Sequence, residues 1–478
     1  MKPGWRNLEI IAVILLLASG AYLREQLMTH PKWVFAGSDS YGYLRLGNQL
    51  FHHGSFSLGP DEPLEWYRRP LYPIFLRAAR GSAPTEMTGG DGWPRIERAQ
   101  AFVDLLAALA LFLVARKLAG RLAAFLALSL SLFFPPSAMW FAAVLTECLS
   151  MALTIFAIAP IFWLRDRPRL AAALTGVGVG LASLLRPDGP LLAVAVLPAL
   201  FWFPTWRARA RVAVTAALAF LAVFAIWPIR NVIDFGRPHL TDGMIDRHGH
   251  DVPHFVGFWR WMQSWSLNSH PAEYPQSCFY DGACSPTTEL FTPADGAFTP
   301  ADTPDERKRV DALLQERRRH GVTAAVSDGF LGIARERRQR HPLRTLVQLP
   351  LERAWTMWTS SQDELLKNPG WRPWAKLTRV VLPYFPRFAR WLVWLTLLGA
   401  AILLFDRRLR IAALVIVLPI VVRTLVLGWT AFSLPRYIVG LYPLCFLILA
   451  CASAVVCEWS WRGFVHARQS FKRSRASA

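Results

Sequence analysis

Long apolar runs alternate with short basic clusters along this chain, and that alternation predicts a polytopic helical membrane protein. A first run over about residues 8–22 leaves the basic side, and a second over about 99–119 returns to Arg116, Lys117 and Arg121. A third reaches Pro135-Pro136, and a fourth comes back through Thr146-Glu147 to Arg165, Arg167 and Arg169. The fifth carries Gly176, Gly178 and Gly180, small residues suited to close helix packing, and ends at Arg186-Pro187. A sixth returns to Arg207, Arg209 and Arg211, and a seventh ends at Trp227-Pro228-Ile229-Arg230-Asn231. Runs over about 387–405, 411–429 and 437–459 complete about ten spans and lead into a basic tail. The expected fold class is therefore all-α and polytopic. The expected division is a membrane core over 1–235 with a first outer loop at 23–98, an extracytoplasmic region at 236–385, C-terminal spans over 386–460 and a cytoplasmic tail at 461–478.

Between the spans the pattern changes. After Ser38, the positions Tyr43, Leu44, Gly47, Leu50 and Phe51 recur at helical spacing, while Arg45, Asn48 and Gln49 face elsewhere. This predicts a short amphipathic helix along a membrane surface, capped by Ser38 and stopped at Gly54, with Asp39 in its first turn. Helix-prone charged stretches at Asp305–His320 and Ala334–Gln339 and an amphipathic segment at Leu343–Trp358 with a tryptophan edge fall in the later polar region.

Composition sharpens the class. Hydrophobic residues make up 53% of the 478, and the net charge is +20. That charge is spread over clusters between apolar runs, as the positive-inside rule places cytoplasmic loops, rather than gathered on one face with groove-reading elements; nucleic acid is not an expected partner. The run after Lys2 and Arg6 lacks a small-x-small cleavage site and reads as a retained first span. Cys148, Cys445, Cys451 and Cys457 sit in apolar runs as small core residues. Cys278 and Cys284 sit in a polar outer loop, where a loop-closing disulfide fits better than a metal pair, since no second cysteine pair follows.

Several arginines then stand on the side the charge rule disfavours: Arg68-Arg69-Pro70, Arg186-Pro187, Arg230 after Trp227-Pro228, and Arg436 after Pro435. Each lies beside a proline that ends a helix. A guanidinium there either snorkels to headgroups or meets an anion, and phosphate suits its forked donors. Glu147 lies near the same end of the fourth run, as a functional acid or as a counter-charge for one of these arginines. Trp259, Trp261 and Trp265 suit sugar stacking or an interfacial belt, and His248-Gly249-His250-Asp251 with His254 reads as a solvated loop rather than a metal site.

Taken in order, Asp39, Arg69-Pro70-Leu71-Tyr72-Pro73, Thr146-Glu147, the stretch from Gly176 to Gly180-Leu181-Ala182 and Arg186-Pro187, Pro228-Ile229-Arg230-Asn231 and Arg436-Tyr437 resemble the integral-membrane glycosyltransferases of the GT-C fold. The resembling branch is that of protein mannosyltransferases and lipid A aminoarabinose transferases. It covers about residues 8–235 and, weakly, the last span. The resemblance implies a polyprenyl-phosphate sugar as donor and a lipid, glycan or protein acceptor at the outer face of the membrane, and the abundance of Ala and Arg suits a bacterial inner membrane. It also implies Asp39 as catalytic base, with Arg69, Tyr72, Glu147, Arg186, Arg230, Arg436 and Tyr437 binding substrate. Many relatives carry two adjacent acids where this chain has Asp39-Ser40, which argues against a two-carboxylate metal site there and leaves a divalent cation open. The chemistry is consistent: a phosphate leaving group needs cations rather than a second acid, so one base and several arginines suffice. Rival readings are a lipid-linked oligosaccharide transporter, for which no internal repeat is visible, and a surface polysaccharide polymerase or ligase, which would not need Asp39.

Overall fold

The computed structural model describes residues 3–28, 38–81, 92–240, 256–267, 301–360, 384–431 and 433–476. The loop containing Cys278 and Cys284 and the histidines from 248 to 254 lie outside them. Among the described residues the chain is helical, with one isolated bridge between Ser57 and Leu64. Five helices are long and apolar enough to cross a membrane, or six if the bent pair Trp206–Phe224 and Ile226–Phe235 forms one span. The chain is thus an integral-membrane protein. Fewer helices meet that test than the about ten runs read from sequence. One reason is length: Glu147–Trp163 and Gly189–Trp202 are apolar but short.

The first helices show how the bundle is strung. Helix α1 (Pro3–Met28) is followed by the amphipathic α2 (Ser38–His53), the short α3 (Leu71–Arg80) and α4 (Gly92–Phe133). Helix α4 is broken at Ala119 and Gly120, where Gly120 takes φ 86°, a conformation that glycine adopts without strain. Packing of Ala108 and Phe112 against Ala124, Leu128 and Leu132 shows that the chain folds back on itself there. Ion pairs fix both ends. Buried Arg24 pairs with Asp104 at one end of α1, and Glu9 receives Arg116 at 2.6 Å and Arg121 at 2.7 Å at the other. Leu8, Ile10, Ile14 and Leu15 of α1 remain exposed, as expected of a helix whose outer face meets lipid.

Helices α5 (Glu147–Trp163), α6 (Pro168–Leu185) and α7 (Trp206–Phe224) continue the bundle, and α8 (Ile226–Phe235) bends away from it. The expected glycine packing is present: a Cβ on Gly178 would lie 2.6 Å from Ala157 Cα, and one on Gly176 would lie 2.2 Å from Ala216 O. One face of α6 thus rests on α5 and another on α7. Because the opposing atoms are backbone, Gly178→Leu must separate α5 from α6, and a loss of about 1–3 kcal/mol is expected. Lowered thermal unfolding of the detergent-purified variant checks this, and an unchanged midpoint would contradict the packing.

Three further helices, α9 (Val256–Gln263), α10 (Pro304–His320) and α11 (Ala324–Arg340), enclose a separate small core. Trp259, Trp261 and Trp265 are buried in it beside Val310, Leu314 and Phe330. This corrects both readings of those tryptophans, since rings filling a core neither stack on a sugar nor form a belt. Asp302 ties the unit together through Arg337 at 2.8 Å and Arg344 at 3.2 Å. Next comes α12 (Leu349–Thr359), which packs onto α14 (Arg410–Thr430) rather than lying free on a surface: Trp358 Nε1 donates to Thr424 Oγ1 at 3.1 Å. Helices α13 (Phe385–Phe405), α14 and α15 (Tyr442–Ala476) close the bundle, with a 3-10 segment Pro435–Leu441 before α15.

Candidate active site

The site forms where α2, the loop before α3, the start of α5, the end of α6 and the Pro435–Leu441 segment converge. Helix α2 is held there by its neighbours: a Cβ on Gly47 would lie 2.5 Å from Pro73 O, so α3 crosses in contact with it. Leu44 and Leu46 are buried, whereas Phe51 is exposed and covered by the Arg77 guanidinium. The expected apolar face is therefore rotated slightly, toward Leu46 and away from Phe51. Asp39 lies in the first turn, as the sequence suggests, with its side chain 38% exposed.

A cavity of about 150 Å³ opens beside it. Four arginines (68, 69, 186 and 436) and two carboxylates (Asp39 and Glu147) line it, leaving a surplus of two positive charges. Thr146, Tyr43, Tyr67 and Tyr437 supply hydroxyls. Arg436 Nη2 lies 3.1 Å from Asp39 Oδ2, and Arg68 Nη2 lies 3.7 Å from Asp39 Oδ1. Desolvation, reinforced by the Asp39 charge, pushes the Tyr43 phenol above its usual pKa and keeps it a neutral donor.

A second layer of charge lies beneath. Arg186 donates to Thr146 Oγ1 at 2.8 Å and to Glu147 Oε1 at 3.3 Å, and its Nε lies 3.0 Å from Asp188 Oδ1. Asp188 in turn meets Arg423 Nη2 at 2.6 Å. All four charged groups are buried. Glu147 thus takes the second role foreseen for it, as counter-charge to one of the arginines, while still lining the cavity.

The structure brings together Asp39, Arg69, Glu147, Arg186, Arg436 and Tyr437 and leaves two expected residues outside. Tyr72 is fully buried; its hydroxyl donates to Gln100 Oε1 at 2.8 Å and its ring meets Tyr43 edge-on. Arg230 pairs with Asp234 at 2.6 Å, one helical turn on, and donates to Glu65 O at 2.7 Å. It pins the loop before α3 instead of facing the cavity. Arg69 lines the cavity but donates to Leu240 O at 3.0 Å and lies over the Phe224 and Trp227 rings. The sequence reading sets Arg68 beside Arg69 among the outer arginines but leaves it out of the substrate-binding set. It also passed over Arg423, a charge inside an apolar run, and Asp188, directly after Arg186-Pro187.

No family model and no curated protein matches the sequence. Solved structures do. The archaeal oligosaccharyltransferase AglB from Archaeoglobus fulgidus, in complex with an inhibitory peptide and a dolichol-phosphate, superimposes with a TM-score of 0.50 and 14% identity over 95% of this chain. The present chain spans 52% of that protein, about half its length. ArnT from Cupriavidus metallidurans, bound to undecaprenyl phosphate, matches over 95% of this chain and 78% of its own, with 14% identity and a TM-score of 0.38. Helix order, the amphipathic helix after the first span and the likeness to the oligosaccharyltransferase structure agree: the chain has the GT-C fold.

Proposed function

We propose that this chain is an inverting glycosyltransferase that moves a sugar from a polyprenyl-phosphate donor to an acceptor hydroxyl. The observation that carries the reading is the half-exposed Asp39 facing Arg68 and Arg436 in a cavity with surplus positive charge. Asp39 takes the acceptor hydroxyl proton as the acceptor oxygen attacks the anomeric carbon. The bond from that carbon to the phosphate oxygen breaks on the opposite face, and polyprenyl phosphate departs with the electron pair. Arg68 and Arg436 neutralise the charge that develops on the phosphate. Arg186 and Arg69, engaged by protein partners, shape the cavity and add to its potential.

The reading requires no metal, because Asp39 and Glu147 already meet guanidiniums and the cations needed at the leaving group are arginines. The dolichol-phosphate bound by the compared oligosaccharyltransferase supports a lipid phosphate as leaving group, and hence a lipid-phosphate sugar as donor. Lipid, glycan and protein hydroxyls are all candidate acceptors.

In this reading the chain crosses a bacterial inner membrane about ten times, with the cavity on the extracytoplasmic side. Support comes from the basic groups at the opposite end, where Arg116 and Arg121 meet Glu9, Lys117 reaches Trp163 O and Arg408 meets Asp406 and Glu458. The test offers purified protein a panel of polyprenyl-phosphate sugars and measures released polyprenyl phosphate. Release from one donor is expected. Silence of folded protein across the panel would favour transport of a lipid-linked oligosaccharide or polysaccharide ligation.

A further inference from the structure

A larger cavity, about 550 Å³, lies between the small tryptophan-cored unit and the bundle. It shares no lining residue with the cavity around Asp39. One wall is a single face of α11, where Leu331, Ala334, Arg335 and Arg338 recur at helical spacing. Another is the end of α9, with Arg260 and Gln263. The third is built from Leu346, Pro350, Arg353 and the end of α14 at Trp429 and Thr430.

Four arginines thus line this cavity, and no carboxylate is among its described lining residues. Arg353 is buried, and its guanidinium donates to the backbone carbonyls of Gln263 and Ser266. Arg335 and Arg338 are exposed at the rim. Water-filled clefts lined by one sign of charge concentrate the opposite charge.

The chemistry alongside is apolar. Leu343, Val347, Leu351 and Trp355 recur every four residues, and they are 77%, 48%, 50% and 46% exposed. Trp429 is 54% exposed, and its Nε1 donates to Leu346 O at 2.7 Å, joining that stripe to the mouth of the cavity. A basic pocket at the end of a membrane-length helix, continued by an exposed apolar stripe, matches an amphiphile with an anionic head.

We propose that this pocket binds the phosphate headgroup of a membrane lipid, with the chain lying along the Leu343–Trp355 stripe. The site stands apart from the transferase reading and does not depend on it.

The test titrates dioleoyl phosphatidic acid into the purified full chain in neutral detergent micelles, with dioleoyl phosphatidylcholine, zwitterionic and without net charge, as the reference. Arg335→Ala/Arg338→Ala is expected to weaken phosphatidate binding on the order of tenfold, from two lost charges at a lipid headgroup. Arg318→Ala/Arg319→Ala, which removes two exposed arginines of α10 outside the pocket, is expected to leave binding unchanged. Arg436→Ala, in the other cavity, is expected to do the same. Equal loss in the α10 variant would reduce the effect to net charge. Loss with Arg436→Ala alone would place the lipid in the Asp39 cavity. Displacement by millimolar inorganic phosphate would show that the ligand is a free anion. Each of these three results overturns the proposal.

Discussion

Asp39→Asn is expected to lower turnover by about 10³-fold, the usual range for loss of a general base, while donor binding tightens or stays unchanged. The two halves have different origins. Turnover falls because the amide cannot accept the acceptor proton as the new bond forms. Donor binding does not weaken because the Asp39 carboxylate competes with the donor phosphate for Arg436 at 3.1 Å and Arg68 at 3.7 Å. Without that charge Arg436 turns to the phosphate at less cost, while Arg68 keeps its closer pairing with Glu65 at 3.0 Å. A helix-capping role gives a different pattern: the helix would lose a few tenths to about 1 kcal/mol, and kcat and KM would move little. Steady-state kinetics with the donor found in the panel separates the two. Loss of donor affinity at unchanged kcat would remove Asp39 from the role of base. Arg436→Ala should differ by raising KM for the donor, whose phosphate is anionic from the outset, as well as lowering kcat, because the charge on that phosphate grows as the sugar leaves.

The all-helical membrane class, the amphipathic helix and Asp39 in its first turn were legible in the sequence because each rests on local periodicity or a short-range signal. The arginine set was legible only as a set. A proline-flanked arginine at a helix end announces an unusual environment, but its partner is chosen by tertiary structure. Arg436 reaches Asp39 from almost 400 residues away, and nothing local distinguishes it from Arg69, which instead covers Phe224 and Trp227. Arg230 could have been set aside from sequence, because Asp234 follows it at helical spacing. Arg423 could have been found as a charge inside an apolar run, although its partner Asp188 could not. The tryptophans at 259, 261 and 265 misled for a related reason. Aromatic residues in a polar stretch resemble a binding belt until the helices that bury them are known.

Arg186→Met is expected to destabilise the protein by about 3–5 kcal/mol, the cost of stripping a buried charge of its partner. Arg186 lies between Glu147 and Asp188, and both carboxylates are buried. After the substitution Asp188 keeps Arg423 at 2.6 Å, so the charge left stranded is that of Glu147. The double variant Arg186→Met/Glu147→Gln should therefore recover most of the lost stability, because removing both members of a buried pair costs far less than removing one. Thermal unfolding in detergent orders the three proteins: wild type and double variant close together, single variant well below. Activity is expected to follow another order, with both variants impaired, since Arg186 also fixes Thr146 at 2.8 Å and contributes positive potential at the cavity wall. A double variant as unstable as the single one would show that Glu147 is not the group Arg186 neutralises. A double variant with full activity would reduce Arg186 to a structural counter-ion and leave phosphate recognition to Arg68 and Arg436.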